Sequence, residues 1–122
     1  MNREIIEQFA AAVNQQDLIK LIELMAEDFS FVDTYGGIEN KGAMKLRWQG
    51  YFDWFPDYRI TIEDYLANDD FAINIGRASG SYLGQTEKHW EFPTAWKVVE
   101  HDGKITHWQV FCDSKKQLDS MG

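Results

Sequence analysis

The sequence predicts an α+β fold: three N-terminal helices packed on a strongly curved, mostly antiparallel sheet that wraps into a cone-shaped α+β barrel. Three observations predict it. Apolar residues recur at helical spacing twice before residue 26. The pattern then switches to strict alternation at Phe29. Beyond Pro56 nearly every segment alternates, with turn residues between the runs.

The first helix carries its apolar stripe at Ile5, Ile6, Phe9, Ala12 and Val13, with Asn2 placed to cap its start. Asn14-Gln15-Gln16 ends it. Asp17 caps a second helix with a stripe at Leu18, Leu21, Ile22 and Met25. The resulting αα-hairpin exposes an apolar face that something must cover. The first strand runs from Phe29 to Tyr35 and ends at Gly36-Gly37. Phe29, Phe31, Asp33 and Tyr35 share one of its faces. A third helix spans Lys41 to Phe55, with a wide aromatic stripe including Met44, Trp48, Tyr51, Phe52 and Phe55. Pro56 stops it, because the residue before a proline leaves the helical region.

Four long strands follow. Tyr58, Ile60 and Ile62 alternate with Arg59, Thr61 and Glu63, and Asn68-Asp69-Asp70 makes a turn. Phe71 to Tyr82, Trp90 to Val99 and Ile105 to Cys112 are the remaining strands. Asp102-Gly103 between the last two is the sharpest hairpin signal in the chain. Without repeats or linkers, residues 1–122 read as one domain. A bent sheet around a helix leaves an open mouth, which is a natural small-molecule site.

Composition bounds the function. Hydrophobic residues make up 44% and aromatic residues 15%, so the chain has the apolar matter for a core and is not a disordered polymer. Twelve basic against twenty acidic residues give a net charge of −8. The basic residues are scattered, with Lys115-Lys116 the one adjacent pair, so neither nucleic acid nor an anionic membrane is an expected partner. An acidic surface also repels polyanions, which turns the expectation toward a neutral ligand. Cys112 has no cysteine partner, and no stretch reaches the roughly 20 apolar residues of a membrane span. A cytoplasmic protein is the expectation.

Asp33 is the most informative residue. Its predecessors on the strand face are apolar, so alternation aims a carboxylate at the helices. Desolvation there would raise its pKa and prepare it as a general acid or base. The alternative is that the strand has ended and Asp33 caps the Gly36-Gly37 turn. Tyr35 has the same parity and is a candidate to orient substrate or to pack at a rim.

The segments Phe9 to Asp17 (FAAAVNQQD) and Ala26 to Asp33 (AEDFSFVD) resemble the opening of the nuclear-transport-factor-2-like superfamily, which includes ketosteroid isomerases and SnoaL-like polyketide cyclases. Gly42 at the third helix, Phe55-Pro56-Asp57 at its end and Asp102 to Ile105 resemble the SnoaL-like pattern. The resemblance implies a cone-shaped fold, a homodimer through the sheet and a proton-transfer reaction of isomerase, lyase or cyclase type. Asp33 falls where ketosteroid isomerases place their aspartate base. Their oxyanion-hole tyrosine and protonated aspartate, an arrangement known from that enzyme, correspond to Phe9 and Ala95, which cannot donate. Losing one such donor costs on the order of a hundredfold in rate, which argues against steroid isomerisation by that route. SnoaL-like cyclases resemble the chain at Asp113, an acidic residue ending the last strand. Strict alternation points Asp113 away from the pocket, with His107 and Phe111, and turns Trp108, Val110 and Cys112 toward it.

Tyr51 and Trp108 are therefore expected beside the pocket with Val110, and Phe9 and Ala95 by the resemblance. Arg77 is a candidate partner for a substrate carbonyl or for Asp33, or else a member of an interstrand ion pair. His107 is a candidate acid–base partner or a surface residue. Asp33, Arg77 and Asp113 would form a hydrolase-type cluster only if they converged. The three histidines lack ligand spacing and no cysteine cluster accompanies them, so neither metal nor cofactor is expected. Trp90, Phe92, Trp96 and Val98 alternate on one strand face while Ala95 and Val99 lie on the other. A sheet apolar on both faces needs two covers, the helices and a second copy of the chain. A non-catalytic binding or interaction module of the same fold is the alternative to an enzyme.

Overall fold

A computed structural model describes all residues, 1–122. Helix α1 (Arg3–Gln15) begins where Asn2 Oδ1 accepts the Glu4 N–H at 3.1 Å, and ends at Gln16 in the left-handed region, φ 54°. Asp17 caps α2 (Leu18–Leu24) through the Lys20 N–H, and the chain passes directly into β1 (Met25–Val32). After a turn come β2 (Ile38–Asn40) and α3 (Lys41–Trp54), which Asn40 caps by accepting from Ala43 N–H. Strands β3 (Arg59–Ala67), β4 (Ala72–Ser81), β5 (His89–His101) and β6 (Lys104–Cys112) follow, and α4 (Lys115–Ser120) closes the chain.

The sheet has the order β2-β1-β6-β5-β4-β3. All neighbours are antiparallel except β1 and β6, which run parallel. The fold is thus α+β with a curved, mostly antiparallel sheet. It remains open, with β2 and β3 as edges, rather than closing into a barrel. Parallel pairing between strands from opposite ends of the chain leaves no hairpin signal, so the sequence pattern did not reveal it. Nor did it reveal β2, at three residues, or α4, whose Lys-rich turn has no buried residue. Strand β1 starts at Met25 rather than Phe29 and stops at Val32, which leaves Asp33 and Tyr35 in the turn beyond it.

Aromatic side chains fill the space between helices and sheet. Phe9 is 0% exposed, with its ring centroid 4.4 Å from Trp108 and 6.4 Å from Phe29. Trp90 stacks on Phe92 at 4.9 Å and meets Phe55 edge-on at 5.2 Å. Burial of such a side chain contributes about 1.5–3 kcal/mol. Along β5, Trp90, Phe92, Thr94, Trp96 and Val98 are buried and the residues between them are not. Register then assigns β6 its faces. Thr94, Trp96 and Val98 pair with Cys112, Val110 and Trp108 on the inner face, and Ala95 and Val99 pair with Phe111 and His107 on the outer one. A register shift between Ile62 and Asp64 bends β3 against β4. Gly76 lies in that bend, and a Cβ there would come within 1.7 Å of the Thr61 carbonyl oxygen. No helix is long and apolar enough to cross a membrane.

Candidate functional site

Between α3, the inner face of β4–β6 and the end of β1 lies a cavity of about 420 Å³. That is within the usual range for small-molecule sites, roughly 300–1,000 Å³. Sixteen of its 24 lining residues are hydrophobic. Trp48 and Tyr51, three residues apart, present the same side of α3 to it. Trp108, Val110 and Cys112 reach it from alternate positions of β6, and Trp96 from β5. The rim is polar. It includes Asp33 and Tyr35 from the β1–β2 turn, Gln117 from α4, and Arg47, whose guanidinium is paired with Glu39 at 2.9 Å.

Asp33 is partly exposed at this rim. Its Oδ1 accepts the backbone N–H groups of Tyr35 at 2.8 Å and Gly37 at 2.9 Å, so the carboxylate caps the turn. The two amides fix its position, while Oδ2 accepts no hydrogen bond from the protein. A Cβ at residue 37 would stand 2.7 Å from Oδ2, and glycine leaves that oxygen uncovered. The turn is also tied to β6, since Thr34 Oγ1 donates to the Cys112 carbonyl at 2.6 Å. Tyr35 is 72% exposed, and its hydroxyl shares a hydrogen bond with Ser114 Oγ across the rim.

Of the residues singled out in the sequence, Asp33, Tyr35, Tyr51, Trp108 and Val110 line the cavity. Five others do not. Phe9 is sealed behind Trp108 in the core. Ala95 occupies the outer sheet face, because its register partners there are Ile75 and Phe111. Arg77 also faces outward, between Glu63 at 3.7 Å and Glu91 at 3.0 Å, an interstrand ion-pair arrangement. His107 lies on the outer face with Nε2 3.1 Å from Gln109 Oε1. Asp113 is exposed and accepts the Lys115 N–H at 3.0 Å at the start of α4, on the parity that alternation predicts. Asp33, Arg77 and Asp113 do not converge, so a hydrolase-type cluster is absent.

Two further groups belong to the cavity: Tyr58 and Gln117. Tyr58 opens the alternation that buries Ile60, so its inward parity was available. Gln117 had no signal, since a single turn of polar helix carries no periodicity. Burial pushes the Tyr51 phenol well above its usual range, partly offset by the Gln117 hydrogen bond, and burial raises Tyr58 as well. The Cys112 thiol is also shifted upward, chiefly by desolvation and against the Thr34 hydrogen bond, which makes it a poor nucleophile. No group of three or more His, Cys, Asp or Glu side chains is arranged to hold a metal ion.

An apolar cavity inside a curved sheet, reached past a turn-held aspartate, is matched by the sequence itself. Residues 6–108 fit the family model of the SnoaL-like domain. The chain belongs to the SnoaL-like family. Solved structures share its fold. IdmH from Streptomyces antibioticus, described as a candidate polyketide cyclase, is 22% identical with a TM-score of 0.81, over 98% of this chain and 97% of that one. A candidate SnoaL-like polyketide cyclase from Shewanella denitrificans is 13% identical with a TM-score of 0.83, over 98% and 95%. A protein with a ketosteroid isomerase-like fold from Catenulispora acidiphila, in complex with trimethylamine, is 19% identical with a TM-score of 0.79, over 91% and 86%. No protein of curated function matches the sequence. At these identities the neighbours establish the fold of this SnoaL-like domain, and its chemistry rests on its own residues.

Proposed function

We propose that this SnoaL-like domain binds a neutral, mainly apolar cyclic molecule in its cavity, and that Asp33 moves a proton on it in an isomerase-, lyase- or cyclase-type reaction. The observation that carries this reading is the Asp33 carboxylate, fixed at the cavity rim by two amide donors with Oδ2 left free. A base must be held in place and still have a lone pair for the substrate, and both conditions are met. The apolar lining and the acidic surface favour an uncharged ligand. The reaction would proceed by removal of a proton next to a carbonyl and its return at another atom, with Tyr35 helping to orient the substrate at the rim.

The test uses 2-tetralone, a cyclic aromatic ketone, incubated in D₂O and followed by proton NMR. The wild type should accelerate exchange of the protons beside the carbonyl, and Asp33→Asn should abolish that acceleration while keeping the turn contacts. Full exchange activity in Asp33→Asn would overturn the assignment. A second reading, ligand binding without chemistry, is favoured by the absence of donors at Phe9 and Ala95. It is the outcome if the ketone binds and exchange is no faster than in buffer.

The same proposal includes a homodimer through the outer face of the sheet. Leu66, Ile75 and Phe111 stand exposed there, on β3, β4 and β6, beside Ala95. Apolar side chains on adjacent strands make a continuous surface that a second copy would cover. An unpaired Cys112 accords with a reducing, cytoplasmic setting.

A further inference from the structure

The apolar lining of the cavity is interrupted by a cluster of neutral polar groups. Tyr51 comes from the last turn of α3 and Tyr58 from the segment leading into β3, with rings edge-to-face and centroids 4.8 Å apart. Gln117 of α4 donates its Nε2–H to the Tyr51 hydroxyl oxygen. Tyr51 Oη thus accepts from Gln117, and none of the hydrogen bonds of the protein uses its own hydrogen. A phenol in that position has one interaction left to make, which is to donate.

We infer that Tyr51 is the oxygen-recognition group of the cavity: it donates to a carbonyl oxygen of the bound molecule, with Gln117 fixing the direction of its hydrogen. The inference rests on the cavity reading above and adds to it the chemistry of the ligand, a neutral cyclic ketone. A hydrocarbon of the same shape would leave the phenol hydrogen without an acceptor, a cost that the ketone removes. A carboxylate is excluded for a different reason. Arg47 is the cationic lining residue, and it lies at the rim with its charge committed to Glu39, so an anion beside Tyr51 would lose its water without a positive partner. Burial keeps both phenols protonated through neutral pH and beyond, so the donor is present under all ordinary conditions.

This assignment also changes where electrophilic assistance would come from. The positions that correspond to donors in ketosteroid isomerases hold Phe9 in the core and Ala95 on the outer face. Here the donor stands on α3, on a separate wall. A hydrogen bond to the carbonyl oxygen stabilises the negative charge that develops when a neighbouring proton leaves, so one contact would serve both recognition and proton transfer.

The experiment compares 2-acetylnaphthalene with 2-isopropenylnaphthalene, in which CH₂ replaces the carbonyl oxygen, and with 2-naphthoate. Each is titrated into wild type and Tyr51→Phe, and binding is read by quenching of tryptophan fluorescence. The ketone-to-alkene affinity ratio should fall roughly five- to tenfold in Tyr51→Phe, the range for one neutral hydrogen bond, while alkene affinity holds within about twofold. The infrared carbonyl stretch of the bound ketone should lie at lower frequency in wild type than in the variant. Wild type should bind the carboxylate most weakly. An unchanged ratio, or equal loss of ketone and alkene, would overturn the inference and leave the cavity reading standing. Failure of every probe to bind wild type would overturn both.

Discussion

The Gln117 side-chain amide donates to the Tyr51 hydroxyl, linking the last helix of the chain to the aromatic wall built by α3. The contact joins residues 66 positions apart and lies at the boundary between cavity and solvent. Together with the Tyr35–Ser114 hydrogen bond it fastens α4 across one side of the mouth. Helix α4 has six residues, none of them buried, and these side-chain contacts add to its packing on β5.

Replacement of Gln117 by Ala should therefore loosen the mouth without unfolding the domain. The expected cost in global stability is at most about 1 kcal/mol, the usual scale of one neutral hydrogen bond. Stopped-flow fluorescence with 2-acetylnaphthalene should show faster release in Gln117→Ala. Unchanged release kinetics would mean that α4 does not restrain the ligand.

The buried phenols make a pH prediction with a definite sign. The unfolded chain titrates its tyrosines near pH 10. Burial raises Tyr51 and Tyr58 above that value, so the folded state holds their protons more tightly than the unfolded state. Their contribution is complete below about pH 10 and is lost as pH rises beyond it. Thermal melts between pH 8 and pH 11 should show Tm falling at the alkaline end, and the fall should be smaller in Tyr58→Phe. An equal fall in both proteins would remove Tyr58 from the account.

Gly76 has a steric requirement. Alanine there would place a Cβ 1.7 Å from the Thr61 carbonyl oxygen, a backbone atom that cannot swing aside. Gly76→Ala should destabilise the domain by roughly 2–3 kcal/mol or more through displacement of β3 from β4. Urea denaturation measures this, and a loss under about 0.5 kcal/mol, the scale of an ordinary surface substitution, would show that the bend relaxes freely.

The outer sheet face gives a prediction about assembly. Phe111 is 49% exposed in a row with Ala95 and Ile75 across β6, β5 and β4. Light scattering should find the wild type as a dimer and Phe111→Lys as a folded monomer. A monomeric wild type would end the proposal.

Legibility in the sequence followed the physics of each feature. Helix α3 is readable because its aromatic stripe and Pro56 mark its face and its stop. The strands after Pro56 were readable because alternation survives along an edge-to-edge antiparallel sheet, and it also gave the correct facing of Asp113, Trp108 and Val110. Of the two settings the sequence leaves open for Asp33, the structure takes the turn cap at the cavity rather than the inward strand position. Strand alternation does not reach past Val32, because two backbone amides of the turn claim the carboxylate there and parity no longer holds. The placements of Phe9 and Ala95 by family resemblance failed for a related reason. Correspondence in sequence carries over a position in the fold, whereas lining a cavity depends on which neighbours intervene, as Trp108 does before Phe9. Gln117 stayed hidden because its role arises only when the two ends of the fold meet.

The parallel pairing of β1 with β6 sets an order of events during synthesis. Ser30, Phe31 and Val32 can pair with β2 early, but their neighbours on the other side, His107, Trp108 and Gln109, come only near the end, and Thr34 waits for Cys112 in the same way. The helices and β1 thus leave the ribosome with an aromatic surface that has no cover, while β3, β4 and β5 can zip as successive hairpins. Such long-range closure is slow and exposes apolar surface in the meantime. The finished cavity is lined from Val13 to Leu118, so its walls are complete only once both of those ends have been translated. The cavity is therefore a late and all-or-none feature of this domain, and a chain cut short before β6 would meet chaperones with its aromatic wall still open.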